Sequence, residues 1–289
     1  MLSIGDAFYR LKAELTGLYD EREAAAIAHE VLEYISGMTK TERLVKKELL
    51  FTEGQERAFY AASQELISGK PLQYVTNSAW FLGNKYYVDP AVLIPRPETE
   101  ELVLWVVEHA LQLAEKGEGL KILDIGTGSG CIPISLKQKL PAASVTSCDI
   151  SAAALEVARK NATSLGVEVG LIHLDFLDKT TWDDLANYDI IVSNPPYIPA
   201  SERERLHINV REYEPATALF VPHDDALVFY DAIAVFAKTH LKEGGAMFFE
   251  IDNGHAIETR DVFKDHGFAN AELRKDMFGN DRMLFVAGN

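Results

Sequence analysis

The chain has 289 residues, 47% of them hydrophobic and 25% charged, with a formal net charge of −16. That length exceeds one average domain and falls short of three, and the composition is that of an ordinary soluble protein with enough chain to bury a full core. The acidic balance argues against a nucleic-acid-binding face, which draws its affinity from lysine and arginine on phosphates, and no apolar run reaches the roughly 18 residues that span a bilayer. The opening MLSIGDAFYRLKAEL lacks a basic segment followed by an apolar core, so a cytoplasmic protein is expected. Cys131 and Cys148 form no CxxC pair and carry no metal-ligand spacing. They are expected as buried free thiols, with no metal bound.

Residues 3–70 read as helices only. Ser3 is placed to cap a helix ending near Gly17. REAAAIAHEVLEYISG has apolar residues at helical spacing and stops at Gly37. Two more helices are expected over Thr41 to Leu50 and Thr52 to Gly69, which together make a small antiparallel bundle. LQYVTNSAWFLGNKYYVDPAVLI, rich in aromatic and β-branched residues, predicts a β-hairpin turning at Gly83-Asn84. Pro95-Arg96-Pro97-Glu98-Thr99-Glu100 then opens a long helix through Lys116, with proline and acids where a helix N-terminus favours them. The domains expected are a helical one at 1–71, a hairpin linker at 72–95 and an α/β domain at 96–289.

From residue 120 strands and helices alternate. KILDIGT, SVTSCDI, GLIHLDF, YDIIVSNPPY and AMFFEID read as strands, with helices between them beginning near Cys131, Ser151 and Ala226 and another at HAIETRDVFKDHG. Such alternation predicts a doubly wound parallel sheet. ELRKDMFG and DRMLFVAG, joined by a tight turn, must be antiparallel and make one edge mixed.

Ligands of such sheets sit beyond the carboxyl ends of the strands, at the switch point. The first strand ends in Asp124-Ile125-Gly126-Thr127-Gly128-Ser129-Gly130, whose alternating glycines let the backbone turn sharply and approach a ligand. A dinucleotide fingerprint would need glycine at position 131, which is Cys, and a nucleotide-triphosphate loop would need Gly-Lys-Ser/Thr. Asp149, ending the second strand, offers two acceptor oxygens to a ribose diol or, alternatively, caps the next helix. Asp175 and Phe176, ending the third strand, are placed to take the amino group and the face of an adenine, or to be an ordinary strand-end acid and a core ring. Together these features suit S-adenosylmethionine better than NAD.

Asn194-Pro195-Pro196-Tyr197 follows the fourth strand at the same edge. The prolines fix the backbone and donate nothing, so the carbonyls near them are free to accept. Asn194 adds a side-chain acceptor and Tyr197 an aromatic face. The set suits a flat NH2 group, with two acceptors for its protons and a ring against its plane.

The loop resembles the NPPY motif of class I amino methyltransferases, whose members act on adenine, guanine or glutamine nitrogens. The whole chain resembles the HemK/PrmC family. Ile94 to Glu100 matches its IPRP(E/D)TE signature, Asp124 to Gly130 its DxGTGSG loop, Ser193 to Ile198 its SNPPYI, and Glu214-Pro215 with Ala218-Leu219 its EPxxAL segment. Gly69 to Tyr74 also fits the end of that family's helical N-terminal domain. One departure is Asp252-Asn253-Gly254, where the family pattern leads one to expect glycine directly after the acidic strand end.

The resemblance implies a class I S-adenosylmethionine-dependent methyltransferase fold with a mostly parallel seven-stranded sheet. It implies methylation of the glutamine of the Gly-Gly-Gln motif in bacterial release factors, with N5-methylglutamine and S-adenosylhomocysteine as products. Gly126, Thr127, Gly128, Ser129, Gly130, Asp149, Asp175, Phe176 and Asn194 are the expected cofactor residues. Asn194, Pro195, Pro196 and Tyr197 are the expected substrate residues, with Asn194, Pro195 and Tyr197 nearest the chemistry. The partners expected are release factors, with no direct nucleic acid and no membrane. The alternative is a nucleic-acid base methyltransferase using the same loop, but the first 90 residues, at a net charge of −3, do not make a basic target-recognition region.

Overall fold

The computed structural model describes residues 1–114 and 119–288. Contacts divide them into two units, Met1–Ser78 with Ile208–Tyr213, and Ala79–His207 with Glu214–Asn289.

The first unit is helical: α1 (Ile4–Leu15), α2 (Glu21–Ser36), α3 (Lys40–Val45), α4 (Glu53–Ile67) and the short α5 (Leu72–Val75). Each of the first four starts on a side-chain cap. The oxygens of Ser3 and Asp20 accept backbone N–H groups of the following turn, and Thr39 and Thr52 form reciprocal capping boxes with Glu42 and Gln55. Helix α2 ends on Gly37 at φ 67, the left-handed stop that glycine adopts without strain. The helix expected through Leu50 stops at Val45. The physical reason lies in α1, whose Ile4 and Gly5 N–H groups donate to the carbonyls of Leu49 and Lys47 at 2.9 and 2.8 Å. Those bonds and the bridge of Leu50 to Ser3 hold residues 46–50 as a turn and an extended stretch beside the start of α1. Leu11, Leu15, Val31, Phe59 and Leu66 fill the core of the bundle. The distant segment Ile208–Tyr213 completes this unit: Tyr213 Oη donates to the Ser68 carbonyl at 2.8 Å, and Asn209 Nδ2 donates to Tyr19 Oη at 2.9 Å.

The second unit begins with a hairpin, β1 (Ala79–Phe81) and β2 (Asn84–Tyr86). Its turn residues are Leu82 and Gly83, at φ 47 and 80. The turn lies one residue earlier than expected, because Asn84 pairs with Phe81 in the ladder. The left-handed Leu82 is held by its N–H donating to Glu100 at 2.8 Å. Helix α6 (Pro97–Ala114) follows, with Glu98 and Glu100 in its first turn; its expected end at Lys116 lies outside the described residues.

Strands and helices then alternate: β3 (Lys121–Ile125), α7 (Cys131–Lys139), β4 (Ser144–Asp149), α8 (Ala152–Ser164), β5 (Gly170–His173) and β6 (Tyr188–Ser193). After α9 (Ile208–Tyr213) and α10 (Ala216–Leu219) come α11 (Val228–His240), β7 (Leu241–Glu250), α12 (Ala256–Asp265), β8 (Ala271–Lys275) and β9 (Asp281–Ala287). The sheet order is β5-β4-β3-β6-β7-β9-β8. The first five strands in this order run parallel, and β9 is antiparallel to both β7 and β8. This is the mostly parallel seven-stranded sheet that the alternation and the resemblance predicted. Strand β5 stops at His173, so Asp175 and Phe176 sit just past its end, where Asp175 accepts the Leu177 N–H at 3.0 Å and turns the chain. One apolar layer packs Leu102, Val106 and Ile134 against one face of the sheet, and the other packs Tyr230, Phe236 and Phe263 against the opposite face. The chain order reverses between β3 and β6, which places the switch point at their carboxyl ends. No described helix is long and apolar enough to cross a membrane.

Candidate active site

A cavity of about 530 Å³ opens at that switch point, within the second unit. Its lining includes the whole glycine loop from Gly126 to Ser129, then Asp149, Asp175, Phe176, Asn194, Pro195 and Pro196. Of the residues expected at the site, Gly130 and Tyr197 do not line it.

The loop after β3 is tied down from three sides. The N–H groups of Gly126 and Thr127 both donate to the Cys148 carbonyl, at 2.9 and 3.1 Å. Beneath them, Thr127 and Ser147 hydroxyls lie 2.6 Å apart, and Ser147 donates to Asp124 at 2.5 Å. Burial pushes the Asp124 carboxyl up to about 8, against the Ser147 hydrogen bond. From α8, the buried Asn161 donates to the Ser129 carbonyl and to Tyr87, each at 2.9 Å. Gly128, at φ 52, has open space where a Cβ would point, so its backbone faces the cavity bare. Gly130, at φ 82, would place a Cβ 2.9 Å from Ile134 and 3.1 Å from Ala158. Its part is to let α7 and α8 meet behind the loop.

Asp149 is the acid of the cavity floor. One carboxylate oxygen accepts the Gly128 N–H at 2.9 Å and the other the Ser151 N–H at 2.8 Å. Burial raises its pKa above the ordinary carboxylate value, opposed by those two N–H groups. Each oxygen keeps lone-pair capacity for one more hydroxyl, so the side chain can hold a ribose diol while bracing the loop. Ile150, next in chain, lines the cavity and is 54% exposed, an apolar platform beside the diol position that the sequence reading did not single out. Phe176 is only 4% exposed, with its ring against Trp182 and Phe236 at centroid distances of 5.4 and 5.3 Å. The core covers most of the ring, and its remaining surface lines the cavity beside Asp175. Asp175 is exposed at the rim.

The second loop abuts the first. Ser193 Oγ donates to the Ile125 carbonyl at 2.7 Å, joining the ends of β6 and β3. A Cβ on Gly126 would lie 3.8 Å from the Asn194 carbonyl oxygen. Asn194 Nδ2 donates to Thr99 Oγ1 at 3.2 Å, and Thr99 Oγ1 donates to Glu250 Oε2 at 2.6 Å. Glu250 is fully buried at the end of β7, and burial pushes its carboxyl up to about 7. Tyr197 turns away, partly buried against the core that holds Tyr230 and Phe249, and burial holds its phenol well above its usual value. The stacking face expected of Tyr197 is therefore not offered to the cavity. Its ring packs inward because the apolar cluster covers it better than the cavity would.

A further part of the wall comes from the segment before α6. Arg96 pairs with Glu214 at 2.5 Å, and the other Glu214 oxygen accepts the Ile94 N–H at 3.2 Å. Arg96 is the one lysine or arginine among the described lining residues, and it is already paired, whereas Asp149 and Asp175 are both present. A cavity with two carboxylates and no free cation suits a sulfonium amino acid with a ribose. It suits a pyrophosphate less well, since no lysine or arginine among the described lining residues is left to face a second negative charge. The volume is in the range of small-molecule sites. The residues present thus fit S-adenosylmethionine. Cys131 and Cys148 are buried free thiols, and no group of metal-binding side chains occurs among the described residues.

Thr99 and Glu250 are the site residues that sequence reasoning missed as such. Thr99 stood inside a recognised segment without a role, and no local spacing signals a hydrogen bond across 151 positions.

Comparison with known proteins agrees with this geometry. Residues 6–76 match the model of the PrmC N-terminal domain, and residues 108–211 match that of the methyltransferase small domain. The release factor glutamine methyltransferase of Flavobacterium psychrophilum is 40% identical over 272 residues, covering 94% of each chain. That of Streptococcus pneumoniae is 35% identical over 287 residues, covering 99% of this chain and 98% of its own. Among solved structures, the hMettl16 catalytic domain in complex with an RNA hairpin aligns with a TM-score of 0.53 at 15% identity, covering 83% of this chain and 82% of that one; it shares the fold alone. With identity of this order along nearly the whole length, the chain belongs to the release factor glutamine methyltransferase family.

Proposed function

We infer that this protein transfers a methyl group from S-adenosylmethionine to the side-chain amide nitrogen of the glutamine in the Gly-Gly-Gln motif of bacterial peptide-chain release factors. The product is N5-methylglutamine. The observation that carries this reading is the meeting of two loops at one switch point. The glycine loop with Asp149 suits the cofactor, and the Asn194-Pro195 loop, tied to the end of β3 through Ser193 and lining the same cavity, suits an amide.

An amide nitrogen is a weak nucleophile because its lone pair is delocalised into the carbonyl. When bound, S-adenosylmethionine supplies an activated methyl group and a neutral leaving group. The chain supplies position and acceptors. Asn194 Oδ1 and the Pro195 carbonyl accept the two protons of the glutamine amide. Acceptors set off the amide plane favour a pyramidal nitrogen whose lone pair points at the methyl carbon. Positive charge gathers on the nitrogen as the bond forms, and both acceptors strengthen there more than in the ground state. Holding the nitrogen in line is worth on the order of 7–11 kcal/mol when orientation is good. One amide proton then passes to water. Tyr197, packed behind the loop, keeps it in shape without touching the amide. The helical unit supplies recognition of the release factor body, since one small amide cannot distinguish one glutamine from another.

The test is transfer of tritiated methyl to an intact release factor, to the same factor with Gly-Gly-Ala, and to DNA. Label on the first alone is expected. Label on the alanine variant or on DNA would overturn the assignment.

A further inference from the structure

We propose that Thr99 and Glu250 form a polarity lock that sets which way the Asn194 side-chain amide faces, and so make Thr99 and Glu250 positioning residues for the methyl transfer. This deepens the reading above and rests on Asn194 being the acceptor for the glutamine amide.

The argument follows from donor and acceptor capacity. An asparagine amide has a donor end and an acceptor end of nearly equal shape, so packing alone sets its orientation poorly. Only one orientation is useful to a substrate NH2, the one that leaves Oδ1 toward it. Asn194 Nδ2 faces Thr99 Oγ1 at 3.2 Å. A threonine hydroxyl alone would tolerate either end, because it can donate or accept. Here its proton is committed, since Thr99 Oγ1 lies 2.6 Å from Glu250 Oε2. An ionised carboxylate only accepts, so Thr99 must donate to it and can then only accept from Asn194. The NH2 end is drawn to Thr99 and the carbonyl end is left for the substrate.

The fold invests in this chain. Thr99 is 3% exposed and Glu250 also 3%. Thr99 sits in the first turn of α6 and Glu250 at the last residue of β7, so the lock spans two elements that meet only in the folded protein. Keeping a buried carboxylate ionised is costly even with partners, and such groups cluster at functional sites. The Glu250 carbonyl also accepts the Tyr230 hydroxyl at 2.9 Å, which holds the strand end in register.

The lock has a sign that depends on protonation. A protonated Glu250 can donate to Thr99, which frees the Thr99 proton for Asn194 Oδ1 and admits the reversed amide. Glu250 titrates under the influence of Arg282 from β9, Arg96 just before α6, Glu98 in its first turn, Tyr197 and Tyr230, with Asp252 and Cys131 nearby. Turnover should therefore rise with pH as Glu250 ionises, through about 7.

The experiment compares wild type, Thr99→Val, Thr99→Ser, Glu250→Gln and Asn194→Ala. It measures kcat and KM for methyl transfer to an intact release factor at pH 6 to 8.5, with S-adenosylmethionine affinity by calorimetry. Valine keeps the shape of threonine and loses the hydroxyl. T99V should lower kcat about five- to tenfold, the worth of one orienting hydrogen bond, with KM and cofactor affinity within about twofold. T99S should recover most of the loss. E250Q, which has nothing to titrate, should lose the rise of kcat with pH. T99V with wild-type kcat beside an impaired N194A overturns the lock while leaving the function standing. T99S as impaired as T99V reduces Thr99 to packing, and a retained pH rise in E250Q removes Glu250. Normal turnover by N194A overturns the reading of the loop itself.

Discussion

Two glycines of one loop, two residues apart, should fail in different ways when changed to alanine. At Gly130 the added methyl would lie 2.9 Å from the Ile134 Cδ1 atom, 3.1 Å from Ala158 Cβ and 3.2 Å from Ala158 Cα. The isoleucine tip can swing aside, but the Ala158 backbone is part of α8 and moves only with the helix. The φ of 82 adds left-handed strain. Strain of roughly 1–2 kcal/mol and overpacking of roughly 1–3 put G130A on the order of 2–5 kcal/mol below wild type. Gly128, at φ 52, meets no atom within 4 Å, so only the backbone strain remains. Its methyl group enters the cavity where the cofactor must approach the bare backbone. Urea denaturation should thus show a large fall in midpoint for G130A and a small one for G128A, with unchanged slope. Calorimetry with S-adenosylmethionine should show the larger loss of affinity in G128A. A G130A midpoint equal to wild type, or G128A as the less stable of the two, would refute the division of labour assigned to these residues.

Other outcomes follow from the same site. Asp149→Ala should weaken S-adenosylmethionine binding by about 1.5–3 kcal/mol, the worth of hydrogen bonds to a charged acceptor, and unchanged calorimetric affinity would remove Asp149 from the site. Asn194→Ala should lower kcat by about 10²–10³ while leaving cofactor affinity nearly intact, and the kcat-to-affinity split is the measurement. Glu250 titrates near 7 when folded, against an ordinary value of 4.5, so its burial costs stability as pH rises from 4.5 to about 7 and the full cost remains above that. E250Q should accordingly match or exceed wild-type stability at pH 8, by up to about 3 kcal/mol, while giving the same or lower stability at pH 4. Lower stability of E250Q at pH 8 would contradict that. Val45, 79% exposed in the helical unit, should when changed to Asp raise KM for an intact release factor by about tenfold or less. It should leave the rate on a short Gly-Gly-Gln peptide alone, and equal effects on both would deny the helical unit a recognition role.

Much of this was legible before the structure because the cues are local. The cap at Ser3, the alternation from Lys121 onward and the glycine loop before Cys131 are each written within a few residues. Where sequence reasoning erred, a distant partner decided. Helix α3 is short because residues 46–50 are held as a turn and a bridge against the start of α1. Tyr197 and Phe176 were read as aromatic faces toward the ligands, and both also pack against the layer of Tyr230, Phe236 and Trp182. Composition marks a ring as apolar without saying which apolar surface will take it. The hydrogen bond between Thr99 and Glu250 was unreadable for the same reason, since it exists only once α6 and β7 lie together.

The membership of Ile208–Tyr213 in the first unit bears on how the nascent chain matures. Synthesis of the bundle ends at Ser78, yet the partners of Ser68 and Tyr19 are Tyr213 and Asn209, which lie some 130 residues downstream. At roughly 5–20 residues per second, the ribosome delivers them about 7–26 s later. During that interval the helices stand without their last piece, and the first-made unit is among the last to be completed. A bundle expressed as residues 1–78 is an unfinished object rather than a module. Pulse-labelled chains arrested before and after residue 213 should differ in the protease resistance of their first 78 residues.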